Sequence, residues 1–334
     1  MSVLAVKNLT KDYRGHRALD GLNLEVPRGS VFGFLGPNGS GKTTTIKILT
    51  GLLQPSAGSA TILGCPVKLN LDRSLKRRIG YLPEEVNFPE ALTGREVMEF
   101  VYRASGLPAA EEKSRIDALL EQFDLLAHAR RRCAAYSRGM KQRLGLACAL
   151  LHRPELLILD EPASALDPEG RREVLELMVS SRERATVFFS SHVLADVERV
   201  CDQVAVINQG RLVVQSPLKE LLRGYTFPRY RVVFRDTVPP ELVQKLGRQP
   251  WVGKVRLVAA DERTMLIEAP LERLPELEEA LLPLLLGEGQ VVTAYYREQP
   301  NLEEIFLELL KNHHTEAGGA NGAKEGTADA AARA

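Results

Sequence analysis

No apolar run in this 334-residue chain reaches the ~18 residues that a bilayer-crossing helix needs. The greasiest stretch, 280–286, is short and contains Pro283. Residues 1–12 hold Lys7 and Lys11 and lack an uninterrupted apolar core, so no signal peptide is expected there. The expectation is a soluble chain that stays in the cytoplasm. Cysteine is scarce: Cys65, Cys133, Cys148 and Cys201 lie far apart with no Cys-x-x-Cys pair. That spacing excludes a disulfide scaffold and reads as reduced packing residues rather than metal ligands. An excess of one charge is also missing, since 44 Lys and Arg face 43 Asp and Glu, a net +1. Nucleic acid is therefore not expected as a partner. Apolar content of 44% and charged content of 26% are ordinary globular values, and the length suits about two domains.

Three zones follow along the chain. Residues 1–224 mix short β-branched runs with amphipathic helical stretches and read as one nucleotide-binding domain. Residues 225–314 read as an accessory domain, after a linker punctuated by Gly224 and Pro228. Residues 315–334 are rich in Ala and Gly, have few large apolar side chains, and are expected to be a disordered tail.

The first zone carries a phosphate loop. The apolar run 31–35 predicts a buried strand, and it feeds into Gly36-Pro37-Asn38-Gly39-Ser40-Gly41-Lys42-Thr43. This fits G-x-x-x-x-G-K-[ST], for which a chance match in a chain this long is on the order of one per cent. Glycines let successive backbone N–H groups point at phosphate oxygens, and a helix over 44–50 adds its positive end. Lys42 would reach β- and γ-phosphates and Thr43 would hold Mg2+.

Residues 155–162, Glu-Leu-Leu-Ile-Leu-Asp-Glu-Pro, form an apolar run ending in two acids. Such a run suits a central parallel strand, whose carboxyl end is where open α/β sheets hold ligands. Asp160 would orient Mg2+. Glu161, one residue on, would take a proton from attacking water. Between loop and acids, Ser137 and Gly139 start a helical run, a second positive helix end suited to an anion. A protein that clamps ATP between two subunits has a use for it.

These residues resemble, in order, the motifs of nucleotide-binding subunits of ATP-binding-cassette (ABC) transporters, over about residues 3–215. Tyr13 matches the aromatic that stacks on adenine, and 81–84 (Tyr-Leu-Pro-Glu) the loop that couples to the membrane subunit. Residues 137–140 (Ser-Arg-Gly-Met) match the family signature, 164–167 (Ser-Ala-Leu-Asp) the loop crossing the dimer interface, and 190–192 (Ser-Ser-His) the switch histidine. Glu84 stands where the family usually carries Gln, and Arg138 and Met140 where the commonest signature has Gly and Gln. The signature form is similar to that of single-cassette subunits serving drug, lipid, polysaccharide or ion exporters, the ABC-2-type branch.

The resemblance implies an α/β fold, an ABC-type P-loop NTPase domain with a mixed sheet core and a helical subdomain. It implies ATP and Mg2+ as cofactors, with Glu161, His192 and Lys42 catalytic. Nucleotide contacts fall to Tyr13, Gly36, Asn38, Gly39, Ser40, Gly41, Lys42, Thr43, Thr44, Ser137, Gly139 and Asp167, and metal contacts to Thr43, Asp160 and Glu84. Implied partners are a transmembrane permease in a separate chain and a second copy of the chain, which places the protein peripherally on the cytoplasmic face of the membrane. A soluble cassette ATPase acting on ribosomes or DNA is the alternative. Its relatives tend to carry two cassettes or a long coiled-coil insertion, and here there is a single motif set. A catalytically silent regulatory cassette conflicts with the intact Lys42, Asp160, Glu161 and His192.

In the second zone, strands are predicted over 230–235, 252–259, 264–268 and 291–297 and helices over 240–248 and 271–286. This β-α-β-β-α-β order predicts a C-terminal ferredoxin-like α+β domain. Asn301 caps a last helix, with Glu304 three residues on. Its stripe Ile305, Phe306 and Leu309 suggests dimerisation or docking as the role of this domain.

Overall fold

A computed structural model describes residues 2–224, 229–258, 261–298 and 301–311. The expected linker residues 225–228 and the expected tail 315–334 lie outside the described residues. The chain forms two compact units, one up to Leu218 together with the helical residues 306–311, the other Lys219–Ile305.

Two sheets build the first unit. The smaller is antiparallel, in the order His16–Pro27, Ser2–Tyr13, Ala57–Ile62, Cys65–Pro66. The larger has six strands in the order Arg211–Pro217, Gln203–Asn208, Val31–Leu35, Thr186–Ser191, Leu156–Asp160, Ile79–Leu82. Only the Arg211–Pro217 edge strand pairs antiparallel, so the sheet is mixed. Val31–Leu35, Leu156–Asp160 and Thr186–Ser191 are buried along their whole length, as continuous apolar strands covered on both faces must be. One core joins the sheets: Leu4, Leu22 and Leu24 from the smaller, Phe32, Phe34, Ile158 and Phe188 from the larger, and Ile46 and Leu49 from the helix Lys42–Leu49.

Parallel register decides what the larger sheet can do. Leu35 pairs with Ser191, Asp160 with Ser190, and Leu82 with Leu159. Four neighbouring strands thus end along one edge. The chain leaves that edge at Gly36, at Pro83 before Glu84, at Glu161 and at His192, which brings the expected site residues together from across the sequence.

Between strands Ile79–Leu82 and Leu156–Asp160 lie the helices Gly94–Ala104, Glu112–Gln122 and Arg138–Leu150, the expected helical subdomain. Thr93 starts the first with a capping box, its side chain accepting from the Glu96 N–H while Glu96 accepts from the Thr93 N–H.

The second unit holds an antiparallel sheet in the order Lys254–Val258, Asp261–Glu268, Arg229–Phe234, Val292–Glu298. Helices Pro240–Gly247 and Leu274–Gly287 supply Leu242, Leu246, Leu277, Leu281 and Leu285 to its core, against Val232, Met265 and Ile267 of the sheet. Arg229 is enclosed and bridges Glu268 (3.1 Å), Glu298 (3.4 Å) and Glu304 (2.6 Å). Asn301 Oδ1 accepts from the Glu304 N–H at 2.9 Å, the expected cap of the helix over 302–311. Of the stripe Ile305, Phe306 and Leu309, Ile305 and Leu309 are buried and Phe306 is half-buried.

Candidate active site

The phosphate loop needs glycine at two positions for separate reasons. A Cβ on Gly36 would stand 2.4 Å from both the Ile207 carbonyl oxygen and Ser40 Oγ, so the loop is packed against its own sheet. Gly41 has φ +110°, a conformation that side chains rarely adopt, and it starts the helix Lys42–Leu49. Lys42 is buried, and its Nζ donates to the carbonyls of Gly36 (2.7 Å) and Pro37 (3.2 Å). Burial lowers its pKa, and the nearby carboxylates of Glu161, Asp160 and Glu84 oppose that shift.

Asp160 is enclosed. Its Oδ1 accepts from Ser190 Oγ at 2.5 Å, and the Thr43 side chain also hydrogen-bonds its carboxylate. Its Oδ2 is buried with no protein partner among the described residues. Burial raises the Asp160 pKa, helped by the Glu161 charge and resisted by Ser190, Thr43 and Lys42.

Glu161 sits at φ +51°, a left-handed conformation that costs a non-glycine residue of order 1–3 kcal/mol. Its surroundings hold it there. Its N–H donates to Ser190 Oγ (3.0 Å), its carbonyl accepts from the Ser164 N–H (3.2 Å) and hydroxyl (3.1 Å), and its Oε2 meets His192 Nδ1 at 2.8 Å. Glu161 lines one cleft together with the phosphate-loop residues.

An open cleft of about 400 Å3 joins these parts. Tyr13, His16, Asn38, Gly39, Gly41, Lys42, Thr43, Thr44, Glu84 and Glu161 line it. Tyr13 is 43% exposed, with Lys11 Nζ 5.2 Å from its ring centroid. Ser137 caps the helix Arg138–Leu150, its Oγ accepting from the Met140 N–H at 3.2 Å. Asp167 caps Pro168–Ser181, accepting from the Gly170 N–H at 3.2 Å. Neither Ser137 nor Gly139 lines the cleft. A Cβ on Gly139 would lie 3.6 Å from the Ala165 carbonyl, so the signature start abuts the 164–167 loop of its own chain.

The ABC transporter family profile matches residues 19–164. An uncharacterized ABC transporter ATP-binding protein (YxlF) of Bacillus subtilis is 38% identical over 310 residues, 92% of this chain and 99% of that protein. The chain belongs to the ABC transporter ATP-binding proteins. The daunorubicin resistance ATP-binding protein DrrA3 of Streptomyces coeruleorubidus is 34% identical over 309 residues, 92% of this chain and 96% of that one. Among solved structures, an ATP-binding subunit of an ABC transporter superposes with TM-score 0.63 at 34% identity, covering 67% of this chain and 93% of that one. A bacterial ABC transporter cassette solved as a dimer gives TM-score 0.60 at 26% identity, covering 64% and 98%. The cassette is thus an ATP-hydrolysing subunit of a transporter. These relatives do not favour the ribosome- or DNA-acting alternative.

The residues present fit Mg2+. The orphaned Asp160 Oδ2 and the Thr43 hydroxyl are hard oxygen donors side by side, the set this ion takes beside substrate phosphates. Among the described residues there is no cluster of three or more His, Cys, Asp or Glu that could hold a metal.

Two residues of the cassette site carry no sequence signal of their own. Ser190 is a strand serine until register puts its hydroxyl between Asp160 and Glu161. Gln142, on the signature helix, is buried and donates to the Pro162 carbonyl at 3.0 Å and the Glu161 carbonyl at 3.4 Å. It ties the signature helix to the carboxylate loop.

Proposed function

We propose that two copies of the cassette close head to tail around Mg·ATP and drive a separate membrane permease, as an exporter on the cytoplasmic face of the membrane. One observation carries the reading: Ser137 and Gly139 begin an anion-binding helix end, yet they stand apart from the cleft that holds Lys42 and Glu161. A second copy gives that helix end its phosphate. The dimeric cassette structure and the likeness to a drug-resistance ATP-binding protein support it. No helix among the described residues is long and apolar enough to cross a membrane.

In this reading the phosphate-loop N–H groups and Lys42 hold the β- and γ-phosphates. Tyr13 stacks on the adenine. Asp160 and Thr43 hold Mg2+, which when bound neutralises phosphate charge. Glu161, oriented by His192, accepts the proton of the attacking water. Most of the catalysis is positioning and charge stabilisation, so hydrolysis waits for Ser137 and Gly139 of the second copy to complete the pocket. Glu84 joins the cleft to its neighbour, where Glu85, Val86 and Asn87 face Arg138 and Lys141. That continuity supports the coupling-loop role, in which closure is passed to the permease. In the second unit, the β-α-β-β-α-β order supports the ferredoxin-like reading of an accessory domain.

Light scattering of the Glu161→Gln variant tests the proposal. A dimer that forms with Mg·ATP and is absent without nucleotide is expected. A strictly monomeric variant at saturating Mg·ATP, with the permease present, overturns it.

A further inference from the structure

A second cleft, of about 410 Å3, lies in the first unit and shares no lining residue with the ATP cleft. Three arginines line it: Arg115 from helix Glu112–Gln122, Arg153 just past helix Arg138–Leu150, and Arg184 just past helix Pro168–Ser181. Apolar walls come from Leu119, Leu177 and Ala185.

The arginines are only partly spoken for. Arg115 donates to the carbonyls of Leu150 (2.8 Å) and Leu151 (3.2 Å), so it caps the end of the signature helix. Arg153 comes no nearer than 3.6 Å to Glu111, at an exposed pair. The Arg184 guanidinium makes no ion pair among the described residues. Glu183 is the one acid in the lining. Burial lowers the Arg115 pKa, and the charges of Arg153 and Arg184 push it further down. Three like charges therefore line a half-enclosed space whose lining holds one acid, Glu183.

We propose that this cleft binds a small amphipathic anion, a phosphate or carboxylate carried on a short apolar body. Arg153 and Arg184 would hold the anionic group, and the Leu119–Leu177 walls its body. The volume suits a small ligand rather than a polymer. The position gives such a ligand leverage. The signature helix, the strand Leu156–Asp160 and the helix Pro168–Ser181 each have one end beside this cleft. Their other ends carry Ser137, Asp160 and Asp167.

Calorimetric titration of hexyl phosphate into the full chain, with the ATP cleft saturated by Mg·ADP, tests the assignment. Saturable one-to-one binding is expected, weakened about tenfold or more in Arg153→Gln/Arg184→Gln, since each lost charged hydrogen bond contributes of that order. Arg184→Gln alone should show an intermediate loss. Both variants should keep the wild-type melting temperature, because the replaced side chains are exposed. Inorganic phosphate should bind at least about tenfold more weakly than hexyl phosphate, from the apolar area left uncovered. Absence of saturable binding, unchanged affinity in the double variant, or equal affinity for the two probes overturns the proposal.

Discussion

His192 Nδ1 lies 2.8 Å from Glu161 Oε2, although 31 residues separate them in the chain. A carboxylate only accepts, so the ring presents Nδ1–H to it. Glu161 is thereby fixed at both ends, its backbone by Ser190 and its carboxylate by His192. Glu161→Gln keeps the shape and removes the proposed base. Steady-state phosphate release should fall about 10²–10⁴-fold, while nucleotide affinity stays near wild type. Normal turnover by the variant would remove Glu161 from its role.

Asp160 carries a pH signature in the nucleotide-free protein. Its folded pKa is raised by burial above the ordinary 3.8. Across that window the folded state binds more protons than the unfolded one. Stability therefore falls as pH rises through it, and the whole penalty is present above the folded pKa. Asp160→Asn has no such penalty. Its melting temperature in EDTA should exceed wild type by a margin that grows as pH rises from near the ordinary 3.8 toward neutrality. A margin independent of pH means that packing, not ionisation, sets it.

Tyr13 lines the cleft and is exposed, and the proposed function gives it the adenine to stack on. Tyr13→Ala should weaken ATP binding by about 5- to 100-fold, the equivalent of the roughly 1–3 kcal/mol a stacked base contributes. Tyr13→Trp should retain it. Competition titration with a fluorescent nucleotide reads both, and an unchanged Tyr13→Ala affinity discards the assignment.

Arg229 is the ionic centre of the second unit, with three carboxylates around one enclosed guanidinium. Arg229→Ala leaves them to repel one another. Because the glutamates are partly solvated, the loss should be about 1–3 kcal/mol rather than the larger cost of a fully buried pair. Arg229→Lys should recover only part, since one ammonium cannot span three partners. Urea unfolding measures both, and equal midpoints for Arg229→Ala and wild type would contradict this.

The strand Val31–Leu35, the phosphate loop after it and the acidic end of Leu156–Asp160 were legible because each is local. Glycine spacing, apolar continuity and a terminal acid are properties of a few adjacent residues. The stripe of Ile305, Phe306 and Leu309 is legible for the same reason. Periodicity shows that a helix has an apolar side and not what that side packs on. The contacts of Ser190, met in the sequence only inside the 190–192 motif, and of Gln142 were silent, since a strand serine and a helical glutamine show no partner until a neighbouring element arrives.

The sequence by itself therefore determined the groups on which the proposed function rests: a glycine-rich turn with its lysine, a strand ending in two acids, and a second helix start at Ser137. Tertiary structure alone decided the geometry. Parallel register set Ser190 between the two acids, a left-handed turn aimed Glu161 at His192, and helix packing kept Ser137 and Gly139 out of their own chain's cleft. Distances across a sheet depend on which strands become neighbours. That choice is made by burying the shared core of Phe34, Ile158 and Phe188, not by any residue of the site.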